Sequence, residues 1–255
     1  MDRMPTVPEN GALPADPSRA NDYDGFAEAY TAVNETGLAN AYYERPAILA
    51  LAGDVAGRRI LDAGCGSGPL FAALRDQGAI MTGIDKSAGM LALARRRLGD
   101  DADLQVADLR SPLPFPDGAF ADVVASLVLH YLEDWGPTLA ELRRVLTPGG
   151  RLIVSIDHPF AIHAIQRAAG RKPNYYATYK WTEEWTLGGQ TVHQTRSRYL
   201  HSGSLAYQVF GLGVIGDVVH HGRLSRFHLG QDVAELGLVC GERLEGHDRH
   251  PCGGE

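Results

Sequence analysis

The 255-residue sequence predicts an α/β fold, a doubly wound and mostly parallel sheet with helices on both faces and a hairpin inserted after the fifth strand. Three observations predict it. From Arg59 onward, short apolar runs alternate with amphipathic segments, the pattern of strands covered on both faces. The segment from Arg59 to Leu70 passes from such a run through Gly64, Gly66 and Gly68 to Pro69, which suits a first helical turn. A hydrophobic content of 44% with 22% charged residues fits one domain with a sizeable core and excludes a fibrous or largely disordered chain.

Residues 1–20 carry Pro5, Pro8, Pro14 and Pro17 among small and polar residues, and are expected to form a disordered tail. Helical spacing between Tyr23 and Leu51, interrupted by Gly37 and Pro46, predicts two or three helices in a segment 21–57. Five strands are expected within a core at 58–157: Arg59 to Ala63, Ala79 to Asp85, Leu104 to Asp108, Ala121 to Leu127, and Arg151 to Asp157. Between them Ser87 is a candidate cap, Gly78 a left-handed stop, and Pro148 to Gly150 the terminator of a helix bearing Leu139, Leu142 and Leu146 on one face. In the remaining region, 158–255, Tyr179 to Thr186 and Gln190 to Tyr199 flank Gly188 and Gly189 as a hairpin.

Lys plus Arg number 24 against 31 Asp plus Glu, a net charge of −7 that argues against a nonspecific nucleic-acid binder, because counterion release needs a basic face. Arg95, Arg96 and Arg97 fan around a helix and read as a solvated face. No apolar run approaches the roughly 20 residues of a membrane span, and no secretory pattern opens the chain, so the expectation is a soluble cytoplasmic protein with no membrane partner. Cys65, Cys240 and Cys252 form no CxxC pair. His247, His250 and Cys252 lack a nearby fourth ligand, and no metal is expected.

The glycine-rich turn can bring backbone close to a ligand at a helix start. It is not a dinucleotide fingerprint: counted from Gly66 the third glycine is Phe71, and counted from Gly64 it is Pro69. No GK[ST] follows. Asp85, ending the second strand, is placed to accept bonds from both hydroxyls of a ribose, and Asp108, ending the third, to meet the exocyclic amine of a purine. Three ligand-facing strand ends in a row suggest an adenosine.

The stretches Ile60 to Gly68, Gly83 to Asp85, Ala107 to Leu109 and Arg144 to Gly150 together resemble the class I S-adenosylmethionine-dependent methyltransferases, over about residues 22 to 160. Trp181-Thr182-Glu183-Glu184-Trp185 looks like a bacterial small-molecule subgroup. The resemblance implies a Rossmann-like sheet and S-adenosyl-L-methionine as cofactor. It also implies Asp62, Gly64 and Gly66 around the methionine part, Asp85 on the ribose, and Asp108 with Leu109 near adenine. Lys86 and Ser126 join this cofactor set. Tyr23 and Tyr30 resemble an N-terminal lid, and Tyr23 is taken into the set.

A sulfonium methyl is already activated, so alignment and exclusion of water are the main tasks. If the acceptor loses a proton, a base helps, and His130 and His158, just after strands four and five, are the candidates. Packing is the competing reading for His130. Tyr175, Tyr176, Tyr179, Trp181 and Trp185 suit a flat or apolar small-molecule acceptor, or else a satellite core under the hairpin.

The end of the chain departs from the family. Gly230 to Leu238 reads as a helix and Val239 to Leu244 as a strand, but no apolar run follows for a seventh strand, and Leu205 to Val219 is the alternative source. A non-catalytic S-adenosylmethionine-binding module with a degenerate acceptor side is therefore the second reading. A dinucleotide oxidoreductase is disfavoured by the missing third glycine.

Overall fold

All but the first residue of β1 (Arg59–Ala63) are buried, as the middle strand of a sheet covered on both faces must be. In the computed structural model, which describes residues 21–157, 159–168, 170–175, 177, 179–187, 190–198 and 215–216, β1 pairs in parallel with β2 (Ile80–Asp85) and β4 (Phe120–Ser126). Adding β3 (Asp103–Val106), β5 (Leu146–Ser155) and β8 (Ile215–Gly216) gives the order β3-β2-β1-β4-β5-β8, with every ladder parallel. The chain winds outward from β1 to β3, crosses back and winds the other way from β4. A crevice therefore opens at the carboxyl ends of β1 and β4, the switch point where such sheets bind ligands.

Strand alternation sends neighbouring side chains to opposite faces. Ile60 joins a core with Ile48, Phe71, Leu74 and Leu91 from α2 (Arg45–Ala52), α3 (Pro69–Asp76) and α4 (Ala88–Leu98). Leu61, its neighbour, joins Val123, Leu139, Leu142 and Val145 beneath α5 (Gly136–Val145). α1 (Ala27–Thr36) and a π-helical stretch, Leu38–Glu44, lead into α2. Ser87 caps α4 by accepting from Met90 N at 3.0 Å, and Gly78 takes a left-handed φ of 89°.

Several strand boundaries differ from expectation by a residue or two, and the start of β5 by five. β3 ends at Val106, two residues before Asp108. β5 begins at Leu146, so Pro148-Gly149-Gly150 lies inside an extended run, as a bulge in the pairing with β4 between Phe120 and Asp122. α5 has by then already ended at Val145. The three arginines of α4 are exposed, yet each is engaged: Arg95 on Leu104 O, Arg96 on Glu28, Arg97 on Ser67 O and Glu35.

β6 (Tyr179–Leu187) and β7 (Gln190–Arg198) form a separate antiparallel ladder. Asn21 fastens it to the N-terminal segment, donating to Thr195 O at 2.8 Å and accepting from Thr195 N at 2.9 Å. Tyr179 donates to Gln166 at 2.5 Å on α6 (Pro159–Ala168), and its ring meets that of buried Trp181. β8 falls within the 205–219 segment. The expected tail, the Gly188-Gly189 turn, the 230–244 elements and His247, His250 and Cys252 lie outside the described residues. Among the described residues no helix is long and apolar enough to cross a membrane.

At the amino ends of the strands, fully buried Asp122 receives a two-pronged pair from each of two arginines, Arg58 (2.5 and 2.9 Å) and Arg151 (2.6 and 2.8 Å). Burial alone would raise this carboxyl, but the guanidiniums hold it below its ordinary pKa. Its stabilisation is thus present above about pH 4 and lost as pH falls through the lowered value. Asp122→Ala is expected to cost about 3 kcal/mol in urea denaturation at neutral pH, a gap that narrows only in acid. A cost within about 0.5 kcal/mol would mean that the double pair contributes no net stability.

Candidate functional site

A cavity of about 350 Å³ occupies the carboxyl ends of the central strands, roofed by residues from Asn21 to Arg45. Its floor is the glycine loop. Gly64, Gly66 and Gly68 all have left-handed φ, and a Cβ on Gly64 would come within 2.6 Å of Val128 Cγ2. The N–H groups of Gly64 and Cys65 both donate to Ile84 O, at 2.8 and 2.9 Å, tying the loop to β2. Cys65 is a buried, free loop residue.

Asp85 closes the next strand. Its Oδ2 accepts from Gly66 N at 2.9 Å and its Oδ1 from Ser87 N at 2.8 Å. Burial raises its pKa while these backbone donors oppose the rise. The carboxylate is fixed by one bond per oxygen, which leaves lone pairs for a ligand.

Asp62 stands differently. It lines the cavity, is only 1% exposed, and its Oδ2 has no hydrogen-bond partner. Burial, reinforced by the charges of Asp85 and Glu44, pushes its pKa up to about 8. An enclosed acceptor without a donor is costly in a folded protein.

Glu44, at the end of the π-helical stretch, has no signal in the sequence. Its Oε1 accepts from Ser126 Oγ at 2.6 Å and Ser155 Oγ at 2.5 Å, so Ser126 lines the cavity through its hold on Glu44. Ser155 also binds Leu127 N at 3.0 Å, beside a left-handed φ of 49° at Leu127. Left-handed backbone is uncommon for a branched side chain, and such conformations gather at ligand sites.

The roof is fastened at Asp24, which accepts from Ser87 Oγ at 2.5 Å and Gly89 N at 2.8 Å and so sits on the start of α4. Tyr23 and Tyr131 share a hydrogen bond of 2.6 Å, to which Gln194 of β7 donates at 3.0 Å. Tyr30 packs edge-on against Tyr23 and also lines the cavity, so the lid segment contributes both tyrosines.

The cavity brings together Tyr23, Asp62, Gly64, Gly66, Asp85, Lys86, Asp108, Leu109 and Ser126. Asp108 is already paired with Arg110 at 2.5 Å, which lowers its pKa, so a ligand amine must share it. His130 is not among the lining residues. It is 3% exposed, neither ring nitrogen has a hydrogen-bond partner, and burial lowers its pKa to about 4. It packs behind Tyr131, with ring centroids 4.4 Å apart, and the expectation of a base facing the ligand is corrected to a neutral packing residue. His158 lies outside the described residues. Tyr175, Tyr179 and Trp181 are not among the described lining residues; the ring of Tyr175 meets that of His163, and Tyr179 meets Trp181.

Residues 61–154 match a family described as a methyltransferase domain. The demethylmenaquinone methyltransferase of Clavibacter sepedonicus is 39% identical over 134 residues, covering 52% of this chain and 55% of that protein. The malonyl-[acyl-carrier protein] O-methyltransferase of Serratia marcescens is 38% identical over 99 residues, covering 39% and 38%. The chain spans about half the length, or less, of these curated relatives. A Pyrococcus horikoshii protein of known structure shares the fold, with a TM-score of 0.58 and 20% identity over 81% of this chain and 95% of that one. Over this stretch the chain is similar to methyltransferases.

The raised pKa of Asp62 has a consequence for stability. Between the unfolded value near 4 and the folded value near 8, the folded state holds a proton that the unfolded state has lost, so this group's contribution falls as pH rises. Asp62→Asn is expected to raise the melting temperature of the ligand-free protein at pH 9 and to leave it nearly unchanged at pH 5. An equal shift at both would show that Asp62 is not protonated in the folded state.

Proposed function

We propose that the protein transfers the methyl group of S-adenosylmethionine to a small-molecule acceptor, chiefly by holding the two in line and excluding water. The observation that carries this reading is the partnerless Oδ2 of Asp62, facing a cavity beside glycines whose left-handed turns disfavour any side chain. An enclosed carboxylate of this kind fits an ammonium group, and the cofactor carries one. Six carboxylates line the cavity (Asp22, Asp24, Glu44, Asp62, Asp85, Asp108) against three cationic side chains (Arg45, Lys86, Arg110), which suits a ligand of net positive charge.

When bound, S-adenosylmethionine supplies a methyl group already activated on a sulfonium. The chain's residues bind and orient. Asp85 accepts from the ribose hydroxyls, Asp62 from the ammonium, and Gly64 and Gly66 let the backbone approach the methionine part. Buried Leu109 packs against the adenine, and Asp108 shares its carboxylate between Arg110 and the exocyclic amine. Lys86 stands at the rim beside Asp85. Tyr23 and Tyr30 close the roof against water.

The two named relatives act on unlike acceptors. The acceptor is therefore proposed only by class, a small molecule. The net charge of −7 and the acidic cavity favour this over a nucleic acid, with activity in the cytoplasm.

Calorimetric titration with S-adenosylmethionine and S-adenosylhomocysteine tests the reading. Both ligands are expected to bind, and Asp85→Ala is expected to weaken each at least about tenfold, the loss of one charge-assisted hydrogen bond or more. Folded wild-type protein giving no heat with either, or an unchanged affinity in the variant, would overturn it.

A further inference from the structure

Among the carboxylates lining the cavity, Glu44 is one that the cofactor's nucleoside and amino-acid ends do not use. Glu44 reaches it from the lid, not from the sheet, and its Oε1 is held by two serine hydroxyls from the ends of β4 and β5. No donor among the described residues bonds its Oε2. Its charge is felt at Asp62, which is itself buried and has no donor on its Oδ2. Two carboxyl groups, each with one oxygen that no donor among the described residues bonds, thus line one cavity, and a cation held between them would be drawn to both.

We propose that Glu44 is the counter-charge of the sulfonium, so that the cavity favours the cationic cofactor over its neutral product. This rests on the cofactor assignment above. With the ribose on Asp85 and the ammonium on Asp62, the sulfur joining them lies over the glycine loop. Glu44, fixed by the serines at the ends of β4 and β5, lines the same cavity and would face a methylated sulfur held between those two carboxyl groups. Transfer of the methyl leaves the bonding electron pair on sulfur, which becomes an uncharged thioether, and the attraction to Glu44 disappears.

The arrangement does not speed the chemical step, since a group that stabilises the charged ground state does not favour a transition state in which that charge is fading. Its effect is on exchange. Product loses one of its holds at the moment it forms, and fresh cofactor regains it.

The two carboxylates are separable by experiment, because cofactor and product share the ammonium and differ at sulfur. Calorimetry is run on wild type, Glu44→Gln, Glu44→Ala and Asp62→Asn with three probes: S-adenosylmethionine, S-adenosylhomocysteine and sinefungin, which carries an amine in place of the methylated sulfur. Glu44→Gln keeps an oxygen for the serines and removes only the charge. It is expected to weaken the two cationic probes about tenfold, the size of one screened charge pair, and to leave S-adenosylhomocysteine within about twofold. Asp62→Asn is expected to weaken all three alike. If both Glu44 variants shift the three probes equally, or shift none, the proposal is overturned. If wild type binds none of them, the cofactor reading itself fails.

Discussion

A carboxylate enclosed at the heart of a parallel sheet has to be provided for, and at Asp62 the protein provides only in part. The residue lies on β1, the strand to which both halves of the doubly wound sheet are joined, so its side chain is sealed from solvent by the packing that makes the fold. One oxygen is left without a donor, and the proton held to about pH 8 is the resting compensation. The glycine loop, the adjacent Asp85 and the lid that seals the cavity are arranged around this unmet requirement. Ligand recognition is thus built into a site that is unfavourable when empty.

Three other carboxylates show that environment, not residue type, sets the outcome. Asp122, at the opposite end of the sheet, is equally enclosed but takes four bonds from two guanidiniums and serves as a structural tie. Asp85 takes two backbone N–H groups, which fix its orientation while leaving acceptor capacity. Asp24 takes a serine hydroxyl and a backbone N–H and fastens the lid to α4. Where the fold supplies donors the group is structural, and where it withholds them a ligand is invited.

Much of this was legible in the sequence. The alternation of buried strands and amphipathic helices from Arg59 gives the parallel sheet, because both signals are local and periodic. Asp62, the glycines, Asp85 and Asp108 could be named because strand ends and tight turns carry recognisable residue types. Glu44 could not, since it reaches the cavity by a fold-level meeting of the π-helical stretch with β4 and β5, more than 80 positions away. His130 shows the converse: its place after β4 is legible, but whether a side chain there faces the ligand or the core depends on the turn at Leu127 and Val128. Pro148 to Gly150 reads as a simple stop in the sequence because a turn and a strand irregularity use the same residues.

The account depends on Asp62 being protonated when the cavity is empty and charged when a cation fills it. Proton release on binding measures that directly, by titrating S-adenosylmethionine calorimetrically in buffers of different ionisation enthalpy. With a carboxyl raised to about 8, release should approach one proton per cofactor bound at about pH 6, fade by about pH 9, and vanish in Asp62→Asn. Binding at pH 6 with no proton released, or a release unaltered by the substitution, would contradict it.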